Sequence, residues 1–203
     1  MPDRRYLQEH TPKHSRRINR YEPRQRFLIV CEGEKTEPNY FKQFPLLPYS
    51  VVDIRGIGAN TVSLVRKALE LRREAKYDQV WCVFDHDSFP AQSFNAALQL
   101  ADSNGLRVAY SNEAFELWYV LHFDYLNAGI TRQDYITRLN KLLGHRYHKN
   151  SELIYDEIIT RQKNAIQNAQ RLLAQYTPAN PEMNNPSTTV HLLVDQLNRL
   201  FWD

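Results

Sequence analysis

Cysteine is scarce. The chain of 203 residues has two, Cys31 and Cys82. No Cys-x-x-Cys pair and no Cys/His spacing fits a zinc module. Each cysteine lies in an apolar stretch that reads as a buried strand. A disulfide requires those strands to be neighbours, and reduced thiols packed in a core are the expectation. Long apolar runs are missing as well. None approaches the ~20 residues of a membrane span, and the first residues hold no apolar signal segment, so a cytoplasmic location is expected. Glycine-rich phosphate cradles are absent: there is no GxxxxGK[ST], and no GxGxxG follows a strand. Gly56-Ile57-Gly58 is a partial match that reads as a plain turn. Internal repeats and low-complexity tracts are also lacking.

The rest is ordinary soluble material, 42% hydrophobic and 24% charged, long enough for one sizeable domain or a domain with an appended lobe. The net charge of +3 hides an asymmetry. Residues 1–26 carry eight Lys/Arg against three Asp/Glu, while the remainder carries 18 against 20. Such a basic arm is either a nucleic-acid contact, favoured by counterion release, or a solvated terminus.

Residues 1–25 are polar and aperiodic, and no regular structure is expected there. Phe27–Glu32 reads as a strand. Thr36 can cap a short helix carrying Tyr40, Phe41 and Phe44, which Pro45 and Pro48 end. Val51–Ile57 reads as a strand, and Asn60 caps a helix to about Ala75 with Val62, Val65 and Leu69 in phase. Val80–Phe84 is apolar without alternation, as in a strand buried on both faces. Residues 91–103 read as a helix stopped by Asn104-Gly105, and Arg107–Ser111 as a fourth strand. This alternation implies a small, mostly parallel α/β sheet of about four strands in the order 2-1-3-4, over residues 26–124. Helices follow at Phe115–Phe123, Thr131–Leu143 and Ser151–Tyr176, with a last one opened by Ser187 or Thr188. Residues 125–203 therefore read as a helical lobe packed on the core.

Chemistry concentrates at two strand ends. The first runs into Glu32-Gly33-Glu34-Lys35-Thr36-Glu37, the third into Asp85-His86-Asp87. Open α/β sheets bind ligands beyond the carboxyl ends of their strands, at the switch in strand order. In a 2-1-3-4 order these two strands are adjacent there. Two carboxylates 4 Å apart repel by about 4 kcal/mol at an effective dielectric near 20, so a proton or a cation must neutralise them. Hard oxygen ligands on an open side suit Mg²⁺ or Mn²⁺. Asp85 and Asp87 leave the strand on one side and His86 on the other. Surface acids or helix caps are the plainer alternative.

Other residues carry two readings each. Glu116, in an apolar segment, needs a partner or a metal, or it complements a helix start. Ser111 and Asn112 at the fourth strand's end either touch substrate phosphate or form a turn. Lys35 is a further candidate for nucleic-acid contact. His122 reads as a hydrogen-bonded core histidine. His145, Arg146, His148 and Lys149 form a basic cluster suited to phosphate, with no third ligand for zinc. Ser187 starts a helix after a turn, a place for an anion or for ordinary capping.

Four blocks in order, CEGEKTEPNYF, VFDHD, SNEAFELWYVLHF and NPSTTVHLLV, resemble the RloB-like family, and the Glu-Gly and Asp-x-Asp strand ends resemble the Toprim domain. The resemblance implies a Toprim-like (Rossmann-like) core and a Mg²⁺-dependent (or Mn²⁺-dependent) nuclease acting on DNA or RNA in abortive-infection defence against phage, beside an ABC/AAA-type ATPase. It places Glu32, Asp85 and Asp87 at the metal. Related nucleases carry a second Glu four residues after the first; here that position is Thr36, so Glu37 and Glu34 compete for the role. Glu116 or Glu37 would complete the set, and Lys149 would stabilise transition-state charge, as lysines do in related Toprim nucleases. A non-catalytic module that binds nucleic acid or a partner protein, as in recombination mediators, is the rival reading. Neither the substrate nor a homo-oligomeric state follows from the sequence.

Overall fold

The computed structural model describes residues 25–46, 50–86 and 91–202. Four parallel strands, β1 (Arg26–Cys31), β2 (Val51–Gly56), β3 (Gln79–Asp85) and β4 (Arg107–Asn112), form a sheet in the order β2-β1-β3-β4. A fifth strand, β5 (Ser187–Thr188), pairs antiparallel with the end of β4. Side-chain alternation splits the core in two. Phe27, Ile29, Cys31, Trp81 and Val83 point to one face, Leu28, Val30, Cys82 and Phe84 to the other. β1 and β3 are neighbours, yet Cys31 pairs with Val83 and Cys82 with Val30. The two thiols therefore face opposite sides of the sheet and are free.

The direction of the chain explains which helix covers which face. α1 (Thr36–Lys42) connects β1 outward to β2, whereas α2 (Thr61–Leu71) and α3 (Ala91–Ser103) connect in the opposite direction along the sheet. Crossovers of one hand must then lie on opposite faces. Leu64, Val65 and Ala68 of α2 pack with Phe94, Ala97 and Ala101 of α3. Tyr40 and Phe41 of α1 join the other core, shared with α4 (Glu116–Val120), α5 (Arg132–Leu143), α6 (Ile154–Ile158), α7 (Gln162–Ala174) and α8 (Val190–Trp202). Asn60 caps α2 through Ser63 N–H. Thr131 and Asp134 form a reciprocal capping box at α5.

Three expectations change. Thr36 does not cap α1; it is the helix's first residue, and its hydroxyl donates to Asn150 Oδ1 at 3.0 Å. The span 151–176 is two helices separated by a 3₁₀ turn at Ile159–Arg161. Ile154, Ile158, Ala165, Ala169 and Leu172 are all buried across it, so the apolar stripe stays in phase and periodicity does not register the break. Ser187 and Thr188 build β5 rather than open the last helix. Thr188 Oγ1 donates to Tyr110 O at 2.9 Å and accepts from Val190 N–H at 3.2 Å, joining strand to helix.

Among the described residues, no helix is long and apolar enough to cross a membrane.

Candidate active site

The acidic loop lies at the carboxyl ends of β1 and β3, where the strand order switches direction. Glu32 N–H still donates to Val83 O at 2.8 Å, continuing the ladder, and its carboxylate accepts Asp85 N–H at 3.1 Å. The loop lies close against the end of β2. A Cβ on Gly56 would stand 2.6 Å from Gly33 O and 2.7 Å from Glu34 Cα. Gly56 is therefore a bed for the acidic loop, not a phosphate cradle. Gly33 does the same for Glu37: its missing Cβ would stand 2.1 Å from Glu37 Oε2.

A cleft of about 420 Å³ opens here, lined by Gly33 to Glu37, Asp85, Phe115, Glu116, Lys149 and Asn150. Glu37 and Glu116 are buried, at 5% and 2% exposure, although both are acids. Burial raises the Asp85 carboxyl well above the usual range, and the charges of Glu37, Glu116 and Glu32 push the same way against the pull of Arg132. Glu37 is raised first by burial and then by Glu116, while backbone N–H groups and Lys149 oppose. Four carboxylates thus interact at one place. Glu37 Oε2 is buried with no hydrogen-bond partner, and Tyr147 O–H donates to Glu116 Oε1 at 3.4 Å.

Carboxylate oxygens on a cleft, one of them unpartnered, are the donor type that hard divalent cations take. The set is not closed. Among the described residues, no three His, Cys, Asp or Glu side chains are grouped to hold an ion. Asp85 Oδ2 is taken by Arg132 Nη2 at 3.1 Å. Asp87 lies outside the described residues.

Of the competing acids, Glu37 reaches the cluster. Glu34 is exposed, and its carboxylate lies against Gly58 instead. α1 explains the choice, since it begins at Thr36 and turns Glu37 inward with Tyr40 and Phe41. Lys35 and Lys149 are exposed at the cleft. The loop bearing Lys149 is pinned three times: Tyr147 N–H donates to Asn140 Oδ1 at 2.6 Å, Asn39 Nδ2 donates to Asn150 O at 2.9 Å, and Thr36 bonds the Asn150 side chain. Asn150 itself sits at φ +76°.

Other predicted residues lie elsewhere. Ser111, Asn112 and Ser187 are buried in the β4–β5 pairing. Their side chains meet Thr188 Oγ1 at 3.0 Å, Pro181 O and Glu182 O at 3.4 Å, and Asn184 O at 2.6 Å respectively. They line no part of the cleft. His145 pairs with Glu157 at 2.8 Å, and with Arg146 and His148 it borders a separate shallow depression. His86 packs edge-on against Phe94, on the side away from the acids, as its place between the aspartates predicted. His122 is a core residue whose Nδ1 is 2.9 Å from Trp118 O; burial lowers its pKa to about 4. Arg132 went unnoticed in the sequence. Thr131-x-x-Asp134 signals its helix start, but nothing local signals its reach to a strand end 47 residues away.

No curated protein and no solved structure matches the chain. The family model of RloB-like proteins matches residues 27–197, from β1 into α8. With the match running through the acidic loop, β3 and both halves of the chain, the protein belongs to the RloB-like family.

Proposed function

We propose that the protein is a Mg²⁺- or Mn²⁺-dependent Toprim-type nuclease that hydrolyses phosphodiester bonds of DNA or RNA. Its setting would be abortive-infection defence against phage, in the cytoplasm, as effector of an ABC/AAA-type ATPase. The observation that carries the reading is the convergence of Glu37, Asp85 and Glu116 on one cleft, with Glu32 bonded to the backbone of Asp85 beside it and Glu37 Oε2 buried and unpartnered. Glu32, Asp85 and Asp87, with Glu116 or Glu37 completing the set, would hold the ion. Bound there, it supplies an activated water and a counter-charge for the phosphate. The chain's own residues do the rest. Burial and then the neighbouring charges favour a proton on Asp85 and Glu37, which loading a cation would release. Lys149, exposed at the cleft, would meet negative charge developing on the phosphate. Lys35 at the rim and the basic arm supply backbone affinity.

The test is incubation of purified protein with labelled total RNA and plasmid DNA in Mg²⁺, Mn²⁺ or EDTA, with and without the partner ATPase. Metal-dependent cutting that Asp85→Asn abolishes is expected. Metal-independent cutting, or none under any condition, overturns the reading. The Arg132–Asp85 ion pair favours a second possibility, a non-catalytic module in which arginine satisfies the acid permanently. In that case Asp85→Asn leaves cellular protection unchanged.

A further inference from the structure

We infer that the outer edge of β2 pairs antiparallel with the same edge of a second copy of this chain, joining two sheets into one. The pairing is independent of the chemistry proposed for the cleft. β2 ends the sheet and is bonded only to β1 among the described residues. Ile57 N–H donates to Cys31 O at 3.1 Å, so along the two-residue repeat Arg55 and Asp53 also turn their backbone groups toward β1. Val52, Ile54 and Gly56 turn theirs outward, and no described residue bonds them. Such an edge is a template for another strand.

Charge selects the partner strand and its register. Antiparallel self-pairing must match outward residues with outward residues, which leaves registers centred on Asp53, Ile54 or Arg55. Centring on Asp53 sets two carboxylates face to face, and centring on Arg55 two guanidinium groups; like charges directly opposite destabilise a sheet. Centring on Ile54 sets it against the partner's Ile54 and places Asp53 opposite the partner's Arg55, twice by symmetry. Those charge pairs fall at the non-hydrogen-bonded positions, where side chains stand closest. Arg55 is exposed and makes no hydrogen bond or ion pair among the described residues. Tyr77 O–H and Arg26 Nη2 both donate to Asp53 Oδ2, at 2.5 and 3.4 Å, and neither uses Oδ1, which can accept from the partner's Arg55. Ile54 is half-buried at the rim of the α1-side core, so its symmetry mate would extend that core across the axis.

Sedimentation velocity of the full chain over a concentration series should show a reversible monomer–dimer equilibrium. Arg55→Asp leaves the bonds of Asp53 intact and sets like charges opposite each other twice, so it should weaken dimerisation about tenfold or more. Asp53→Arg should do the same. An equimolar mixture of the two variants should dimerise as the wild type does, because both charge pairs are then complementary. Disulfide trapping reads the register and decides the matter even if Asp53→Arg does not fold. Ile54→Cys should cross-link under mild oxidation, since hydrogen-bonded partners have Cα atoms about 5.5 Å apart, and Val52→Cys should not. A wild type that stays monomeric at every concentration, a dimer indifferent to Arg55→Asp, a mixture of folded variants that stays monomeric, or equal cross-linking at both cysteine positions overturns the inference.

Discussion

Gly33→Ala tests the geometry of the acid cluster without touching an acid. An ideal Cβ at Gly33 falls 2.1 Å from Glu37 Oε2, 3.0 Å from Cδ and 3.1 Å from Oε1. Ordinary carbon contacts begin near 3.5 Å, so the carboxylate must retreat by more than about 1 Å. It has little room to do so, being 5% exposed, with Glu116 and Asp85 as neighbouring charges. Overpacking of this kind costs about 1–3 kcal/mol. Gly33 is not among the positive-φ glycines, so alanine carries no backbone penalty and even gains up to ~1 kcal/mol from the unfolded chain. The whole cost should therefore belong to Glu37. In Glu37→Ala the obstructing atoms are gone, and Gly33→Ala should become neutral or stabilising. The four proteins, unfolded in urea at neutral pH with EDTA, should give a coupling energy of about 1–3 kcal/mol. If Gly33→Ala destabilises equally in both backgrounds, Glu37 does not lie where the structure puts it.

Further expectations concern pH and the loop. Asp85 and Glu37 have folded pKa values above their ordinary values of 3.8 and 4.5. Their contribution to stability is complete below about pH 4 and is lost as pH rises through the folded values. Glu37→Gln in EDTA should therefore gain stability over wild type at pH 7 and not at pH 4, as urea midpoints would show. His122 has the opposite sign: with a folded pKa of about 4 against 6.5, its contribution is present above pH 6.5 and lost as pH falls through 4. The advantage of wild type over His122→Phe should shrink by up to about 3 kcal/mol between pH 7.5 and 4. At Asn150, with φ +76°, alanine should destabilise by about 1 kcal/mol more than glycine in thermal melts, since both lose the bond to Thr36 and only alanine strains the backbone.

What the sequence disclosed divides along physical lines. β1 and β3 were legible because strands buried on both faces are apolar without alternation, and their neighbourhood put Glu32 beside Asp85. β5 was not legible. Ser187 and Thr188 are polar, and their strand exists through bonds to Tyr110 and Ser111 about 77 residues away. Ser187, like Ser111 and Asn112, was a candidate for phosphate contact because it stands near an element end, but the side chains of all three are already bonded within the fold. Glu37 was ambiguous by spacing alone; a helix beginning one residue earlier than a Thr36 cap implies turns it inward. Arg132 carries a local signal for its helix and none for its destination, which the packing of α5 against α4 decides.

The cluster also bears on why the fold tolerates it. Four acids at one strand switch would be hard to hold without compensation, and the compensation is distributed over elements distant in sequence. Backbone N–H groups serve Glu32 and Glu37, Tyr147 serves Glu116, Lys149 offsets Glu37, and Arg132 serves Asp85. None of these hydrogen-bonds Glu37 Oε2. A fold selected only for stability would place an amide or an apolar side chain there, because a buried carboxylate oxygen without a hydrogen bond costs free energy. Retaining the carboxylate lowers the stability of the protein without a cation, and a cation at this place would offset that cost. On the proposed metal-dependent reading, the stability gained by Glu37→Gln without metal and the activity it would lose are two readings of one interaction.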